Sequence, residues 1–259
     1  MAANDPGQPS LGALDEAAAV TTFDRAAPGS VLAIGAHPDD VEFGAGGTLA
    51  KWAADGCVVH HLILTDGSKG TWDVAADLAA LVSRRRVEQR EAARRLAGDR
   101  AGEVRFLERI DGELITDPAT TSDVACIIRE LRPEVVMGHD PWKRDRLHPD
   151  HRHAGWLVCD AVVAARDPHF FPEHRLAHHR PGALFLWEAD VPNHVEDVSL
   201  FIDRKLAALE AHESHFESTM HAVDASQLDA FRRRIRTRLA ELGAPHGLTA
   251  AEVFAVVEP

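Results

Sequence analysis

The chain has 259 residues, 45% of them apolar, enough for one large α/β domain or two small ones with a sizeable core. Its formal net charge of −13, with all 16 histidines taken as neutral, argues against a general nucleic-acid binder. No apolar run approaches transmembrane length and residues 1–22 lack the pattern of a signal peptide. The three cysteines, Cys57, Cys126 and Cys159, have no metal-motif spacing and read as buried thiols, so a reducing, cytoplasmic setting is expected.

Residues 1–27, rich in Ala, Gly, Pro and Asp, read as an arm ahead of a single domain at 28–259. Residues 30–36 are a short apolar run with β-branched members, a buried strand that ends abruptly in His37-Pro38-Asp39-Asp40. Pro38 biases His37 toward an extended conformation, which keeps His37 on the strand and puts the two aspartates on the following loop. Gly44-Ala45-Gly46-Gly47 then leads into a helix through residues 48–54. These glycines match a dinucleotide fingerprint poorly, because the His-Pro-Asp-Asp loop separates them from the strand. They read instead as a tight turn and a site of close helix packing.

Val58–Thr65 is a second strand, apolar on both faces in its later half. The loop after it, residues 65–73, carries glycines, hydroxyls, Lys69 and Trp72, which suits the rim of a sugar site or an ordinary long surface loop. A helix over residues 75–96 bears Arg84, Arg85, Arg86, Arg90, Arg94 and Arg95, a solvated basic face from which one or two members reach toward an anionic group. A short strand at 104–107, a turn and loop at 111–114, a helix at 121–132 stopped by Pro133 and a strand at 134–137 follow. This alternation predicts right-handed crossovers and a mostly parallel sheet.

The fourth strand runs into Gly138-His139-Asp140, and His148, His151 and His153 crowd the start of a helix reaching about residue 166. Asp150 falls in that helix's first turn, where the dipole favours an acid. A Pro- and His-rich loop at 168–181, a strand at 184–187, helices at 201–216 and 224–242, and a last strand or extended tail at 253–257 complete the chain. His212 and His215 share a helical face without an acidic partner motif, and read as structural or rim residues.

Both clusters follow the carboxyl ends of parallel strands, so the fold itself brings them to the edge where open α/β sheets bind ligands. His37 and Asp40 with one histidine of the second cluster make three ligands and an open position, the pattern of a catalytic zinc site. Adjacent side chains on a loop point apart, which leaves Asp39 as a general base beside Asp40. A second histidine is available to protonate a leaving amine or to support an oxyanion. His153 reads as a helix-face residue.

His37-Pro38-Asp39-Asp40 with Gly46-Gly47, joined to His148-Pro149-Asp150-His151, resembles the PIG-L/LmbE-like zinc-dependent N-deacetylases. The Asp40-Val41-Glu42 continuation is similar to the branch that holds the mycothiol- and bacillithiol-pathway deacetylases. By motif order the resemblance spans residues 30–155 and continues more loosely through 205–214. It implies a Rossmann-like α/β fold, a mostly parallel sheet flanked by helices, with the site at the carboxyl ends of the strands. It also implies a homo-oligomer that takes the acetyl group from an N-acetylglucosamine-type amino sugar. Carried over by position, it implies one Zn²⁺ per chain held by His37, Asp40 and His151, Asp39 as base, and His148 as acid or oxyanion stabiliser. Arg85 matches a substrate-side arginine of the family, and would act beside Lys69 and Trp72. The chain departs from the pattern at 140–147, where Trp142, Lys143, Arg144 and Arg146 stand, and at His215, where relatives often have glutamine. Two other readings compete: a metal-dependent hydrolase of another bond, such as an S-conjugate amide or a phosphoester, and a non-catalytic sugar-binding module.

Overall fold

The computed structural model describes residues 21–259. Its strands are β1 (Thr22–Phe23), β2 (Ser30–Gly35), β3 (Val58–Thr65), β4 (Ala101–Arg109), β5 (Val135–His139), β6 (Ala183–Trp187), β7 (His194–Asp197) and β8 (Ala251–Val257). Its α-helices are α1 (Asp40–Ala54), α2 (Leu78–Ala97), α3 (Pro118–Leu131), α4 (Pro149–Arg166), α5 (Ile202–Leu209) and α6 (Ala225–Gly243). The strands form one eight-stranded sheet in the order β1-β7-β8-β6-β5-β2-β3-β4, in which β8 runs antiparallel to β6 and β7 and the other pairs are parallel.

Successive residues of a strand face opposite sides, and in this sheet both sides are covered. Val31 and Ala33 of β2 join the core under α1 and α2, while Leu32 and Ile34 join the core under α3 and α4. In β6, Phe185 and Trp187 enter the first core, and Leu184 and Leu186 the second. The near-continuous apolar runs of the central strands are therefore the sequence trace of a two-sided sheet. From β2 the chain builds outward to β3 and β4, then returns to the other side of β2 with β5. The gap between β2 and β5 is thus a topological switch point, where the following loops part and leave a crevice.

Several expectations are corrected. Helix α1 begins at Asp40, so Gly44–Gly47 lie inside it and make no turn before it. The turn is made by Asp39, whose φ of 100° is one that few non-glycine residues adopt. The helix expected over 201–216 ends at Leu209, and the chain continues through a 3₁₀ turn at Glu213–His215. Strands β1 and β7 were not foreseen; each is too short to show alternation, and they pair with one another. Of the arm expected over 1–27, residues 1–20 lie outside the described part, and Thr22–Phe23 pairs with β7. Cys57 is buried as expected, whereas Cys126 and Cys159 are half-buried. Among the described residues no helix is long and apolar enough to cross a membrane.

Close packing was the right reading of the glycines. A Cβ on Gly44 would lie 2.5 Å from the Trp187 ring, and Trp187 is itself fully buried. Gly44→Ala gains up to about 1 kcal/mol of helix propensity but overpacks a rigid neighbour, at a cost of about 1–3 kcal/mol. A net loss of stability is therefore expected in urea unfolding. An equal or raised midpoint would show that Trp187 can move aside.

Candidate active site

The loops after β2, β3, β4 and β5 meet over the switch point and enclose a cavity of about 480 Å³. His37, placed not on β2 as expected but in the turn after it, reaches the cavity with Asp39 from that turn, Asp40 from the start of α1, and His148 and His151 from the start of α4. His37 Nδ1, His151 Nε2 and the Asp40 carboxylate form a triangle. Its sides are 3.2 Å between the imidazoles, 3.4 Å from His37 to Asp40 Oδ2 and 3.2 Å from His151 to Asp40 Oδ1. A tetrahedral metal with bonds of about 2.0–2.1 Å has ligand-to-ligand edges of about 3.3 Å. Nitrogen and oxygen donors on such a triangle suit a borderline divalent metal. Overlapping donor sets share these residues, His37 with His148 and His151, and Asp40 with His139 and His151.

Each corner is held from behind. Asp150, fully buried, faces His37 Nε2 at 3.1 Å, and Asp111 faces the same atom at 3.2 Å. The Nε2–H is thus directed at carboxylates and Nδ1, which must give up its proton to bind a metal, at the triangle, an arrangement common behind metal-binding histidines. Asp150 is fixed in turn by the backbone N–H groups of Gly112 and Leu114, at 2.6 and 3.2 Å. At Asp40, Oδ2 accepts the His37 backbone N–H at 2.7 Å and contacts His139 Nε2 at 3.1 Å. The Trp187 indole N–H donates to His139 Nδ1 at 3.1 Å, so the His139 proton sits on Nε2 and points at Asp40. Asp40 Oδ1 is left facing His151.

The electrostatics follow. Burial alone would lower the His37 pKa, but hydrogen bonds to Asp111, Asp150 and Asp40 hold it well above the ordinary imidazole range. Burial would raise Asp40, yet the charges of His151 and His139 and their hydrogen bonds hold it well below the usual carboxylate range. At His148 partial burial of the ring, reinforced by the positive charge of His37 and His151, pushes the imidazole below its ordinary value.

Asp39 is 5% exposed and lines the same cavity. Its Oδ2 is 2.5 Å from His215 Nδ1, and its backbone N–H donates to Gln89 Oε1 at 3.1 Å. His215 is therefore more than a rim residue, and its acidic partner is Asp39, 176 positions away. His148 is exposed at the N-terminal cap of α4, its ring 4.7 Å from that of His37. Arg85 lines the cavity, but its guanidinium is committed to the carbonyl oxygens of Gly67 and Gly70, so it shapes the loop that carries Lys69. Lys69 also lines the cavity, with Nζ 3.0 Å from Glu113. Trp72 does not come to the site: it is 72% exposed and outside the cavity wall, at the tip of its loop. His153 faces Thr116, 3.0 Å from its hydroxyl, as expected of a helix-face residue.

His139, Asp111, Arg146 and Gln89 are contributors that sequence reading missed. His139 had one visible signal, its place as the last residue of a buried strand beside the second motif. The others are single polar residues whose role exists only through contacts across the sheet edge.

Comparison with known proteins agrees with this geometry. Residues 32–162 match the family model described as PIG-L, GlcNAc-PI de-N-acetylase. The chain is 36% identical over 189 residues to diacetylchitobiose deacetylase of Thermococcus kodakarensis, covering 72% of this chain and 70% of that protein. It is 35% identical over 159 residues to 1D-myo-inositol 2-acetamido-2-deoxy-α-D-glucopyranoside deacetylase of Rhodococcus jostii, covering 52% and 53% of the two. A relative with another activity, 4-oxalmesaconate hydratase of Pseudomonas putida, is 27% identical over 192 residues, covering 70% and 72%. Among solved structures, N,N'-diacetylchitobiose deacetylase of Pyrococcus horikoshii superposes with a TM-score of 0.80 at 28% identity, covering 89% and 84% of the two chains. With the motif pair, the matched family model and the shared α/β architecture in agreement, the chain belongs to the PIG-L/LmbE family of metal-dependent N-deacetylases.

Proposed function

We propose that this protein is a zinc-dependent hydrolase that removes the acetyl group from an N-acetylglucosamine-type amino sugar or its conjugate. The reading is carried by the His37–Asp40–His151 triangle opening on a cavity that Asp39 and His148 also line. One zinc per chain would be held by those three residues. When bound, a zinc ion lowers the pKa of water to about 7 and polarises an acyl oxygen beside it.

The chain's own groups supply the rest. Asp39, close to the triangle yet engaged by His215 and Gln89, accepts the proton of the attacking water as its oxygen adds to the acetyl carbon. His148, which lines the same cavity, supports the oxyanion or, once the proton accepted by Asp39 has been relayed to it, protonates the amine as the C–N bond breaks. Arg85 holds Gly67 and Gly70, so Lys69 and the backbone of that loop present hydrogen-bond donors to the sugar hydroxyls. A second reading, addition of water across a double bond of an unsaturated acid, is favoured by the Pseudomonas putida relative.

Acetate release and metal content, measured together on N-acetylglucosaminyl compounds, separate these readings. One zinc per chain and acetate release abolished by a chelator are expected; zinc without acetate from any such sugar would overturn the deacetylase reading. Asn tolerates positive φ, so Asp39→Asn keeps the turn and is expected to lower kcat about 10²–10⁴-fold with zinc retained. Activity within a few-fold of the parent would remove Asp39 as the base. Asp150→Asn leaves His37 with a weaker acceptor, and zinc affinity in calorimetric titration should fall about 10–100-fold. Unchanged affinity would mean that His37 does not rely on Asp150.

A further inference from the structure

A second cavity, of about 420 Å³, adjoins the first, and the two share Phe43, Gly44 and Glu188 in their walls. Its apolar side comes from α6, where Ile235, Leu239 and Leu242 recur at helical spacing, and from Pro192. Its acids are already engaged. Glu252 accepts from Lys205 at 2.6 Å and from the backbone N–H groups of Gly47 and Thr48 at 2.9 and 2.8 Å. Glu188 is paired with Arg146 at 2.6 Å. Two cations on the wall are not neutralised in this way. Among the described residues Lys143 has no carboxylate partner, and Arg238 has only Glu241, at 3.9 Å.

A trough with one apolar side, its acids engaged and two cations unneutralised suits a second neutral sugar poorly, since each buried hydroxyl needs a hydrogen-bond partner. It suits an alkyl or aryl group that ends in an anion. We propose that this cavity is a subsite for the aglycone of the substrate, an apolar group bearing a carboxylate or phosphate. The acetamide lies at the His37–Asp40–His151 triangle and the aglycone passes Phe43 into the second cavity. The sugar half of this assignment rests on the deacetylase reading; the aglycone half rests on the second cavity alone.

The test compares four β-glycosides of N-acetylglucosamine, with methyl, carboxyoctyl, phosphooctyl and carboxyoctyl methyl ester aglycones. The parent protein and the double variant Lys143→Glu/Arg238→Glu are assayed for acetate release and, by calorimetry, for binding. The anionic glycosides should exceed the methyl glycoside in kcat/KM by about tenfold or more, with the gain in KM. The neutral ester should fall between, and the double variant should lose the anionic gain by a factor well beyond its effect on the methyl glycoside. The carboxylate and phosphate arms show which anion the subsite prefers. Equal kcat/KM for all four, with acetate released, would overturn the subsite and leave the deacetylase reading intact. Tight binding of the anionic glycosides that the double variant abolishes, with no acetate from any, would support the subsite and overturn the deacetylase reading. Binding indifferent to both aglycone and variant would overturn the subsite whatever the turnover.

Discussion

The carboxylate of Asp40 is the point at which three distant parts of the chain are tied together. Its Oδ2 takes the backbone N–H of His37 from the end of β2 and the imidazole of His139 from the end of β5, while Oδ1 faces His151 on α4. Placing a carboxylate beside three imidazoles inside a protein is costly unless every group is partnered, and here the partnering runs outward. Trp187 and Arg146 occupy His139 Nδ1, and Asp111 and Asp150 occupy His37 Nε2. The result is a set of donors held in one orientation before any ligand arrives, which is what a metal site on rigid elements requires.

Beneath the loop at His37–Asp40 a second polar layer does comparable work for Asp39. Gln89 accepts the Asp39 backbone N–H and donates to Glu42 at 2.8 Å, and Glu42 is fully buried between His61 and His212, at 3.6 and 3.4 Å. Burial lowers the His61 pKa, whereas at His212 the neighbouring Glu42 carboxylate outweighs burial and raises it. A residue with φ near 100° would relax if its neighbours allowed it; Gln89, fixed by this layer, and His215 hold it on either side. Gly44 contributes from the far side, since only a residue without Cβ lets α1 lie against Trp187, the same indole that orients His139.

This division of labour explains the shape of the family comparison. The elements around the switch point are those matched at residues 32–162, where two motifs must keep their spacing for the triangle to form. The second cavity takes most of its apolar wall from α6, which lies outside those residues. The candidate metal donors and the second cavity are therefore supplied by largely different parts of the chain.

The strand–helix order, the parallel core and the two motifs were legible because they are local. Apolar runs such as 31–34 mark a strand buried on both faces, and a His-Pro-Asp-Asp segment at its end marks the chemistry. The start of α1 was misplaced because glycines normally argue against a helix, and only the close approach of Trp187 to Gly44, of Lys205 to Gly46 and of Val198 to Gly47 favours them there. The two-residue strand β1 carries no periodicity that a sequence could show. The sequence by itself thus determined the fold class, the family and the residue types able to bind a metal. Which atoms face it was decided by tertiary structure alone: His139, Asp111, Arg146 and His215 matter through contacts across 42 to 176 positions that no local pattern encodes. Arg85 on α2 reaches the carbonyl oxygens of Gly67 and Gly70 through a contact of the same kind.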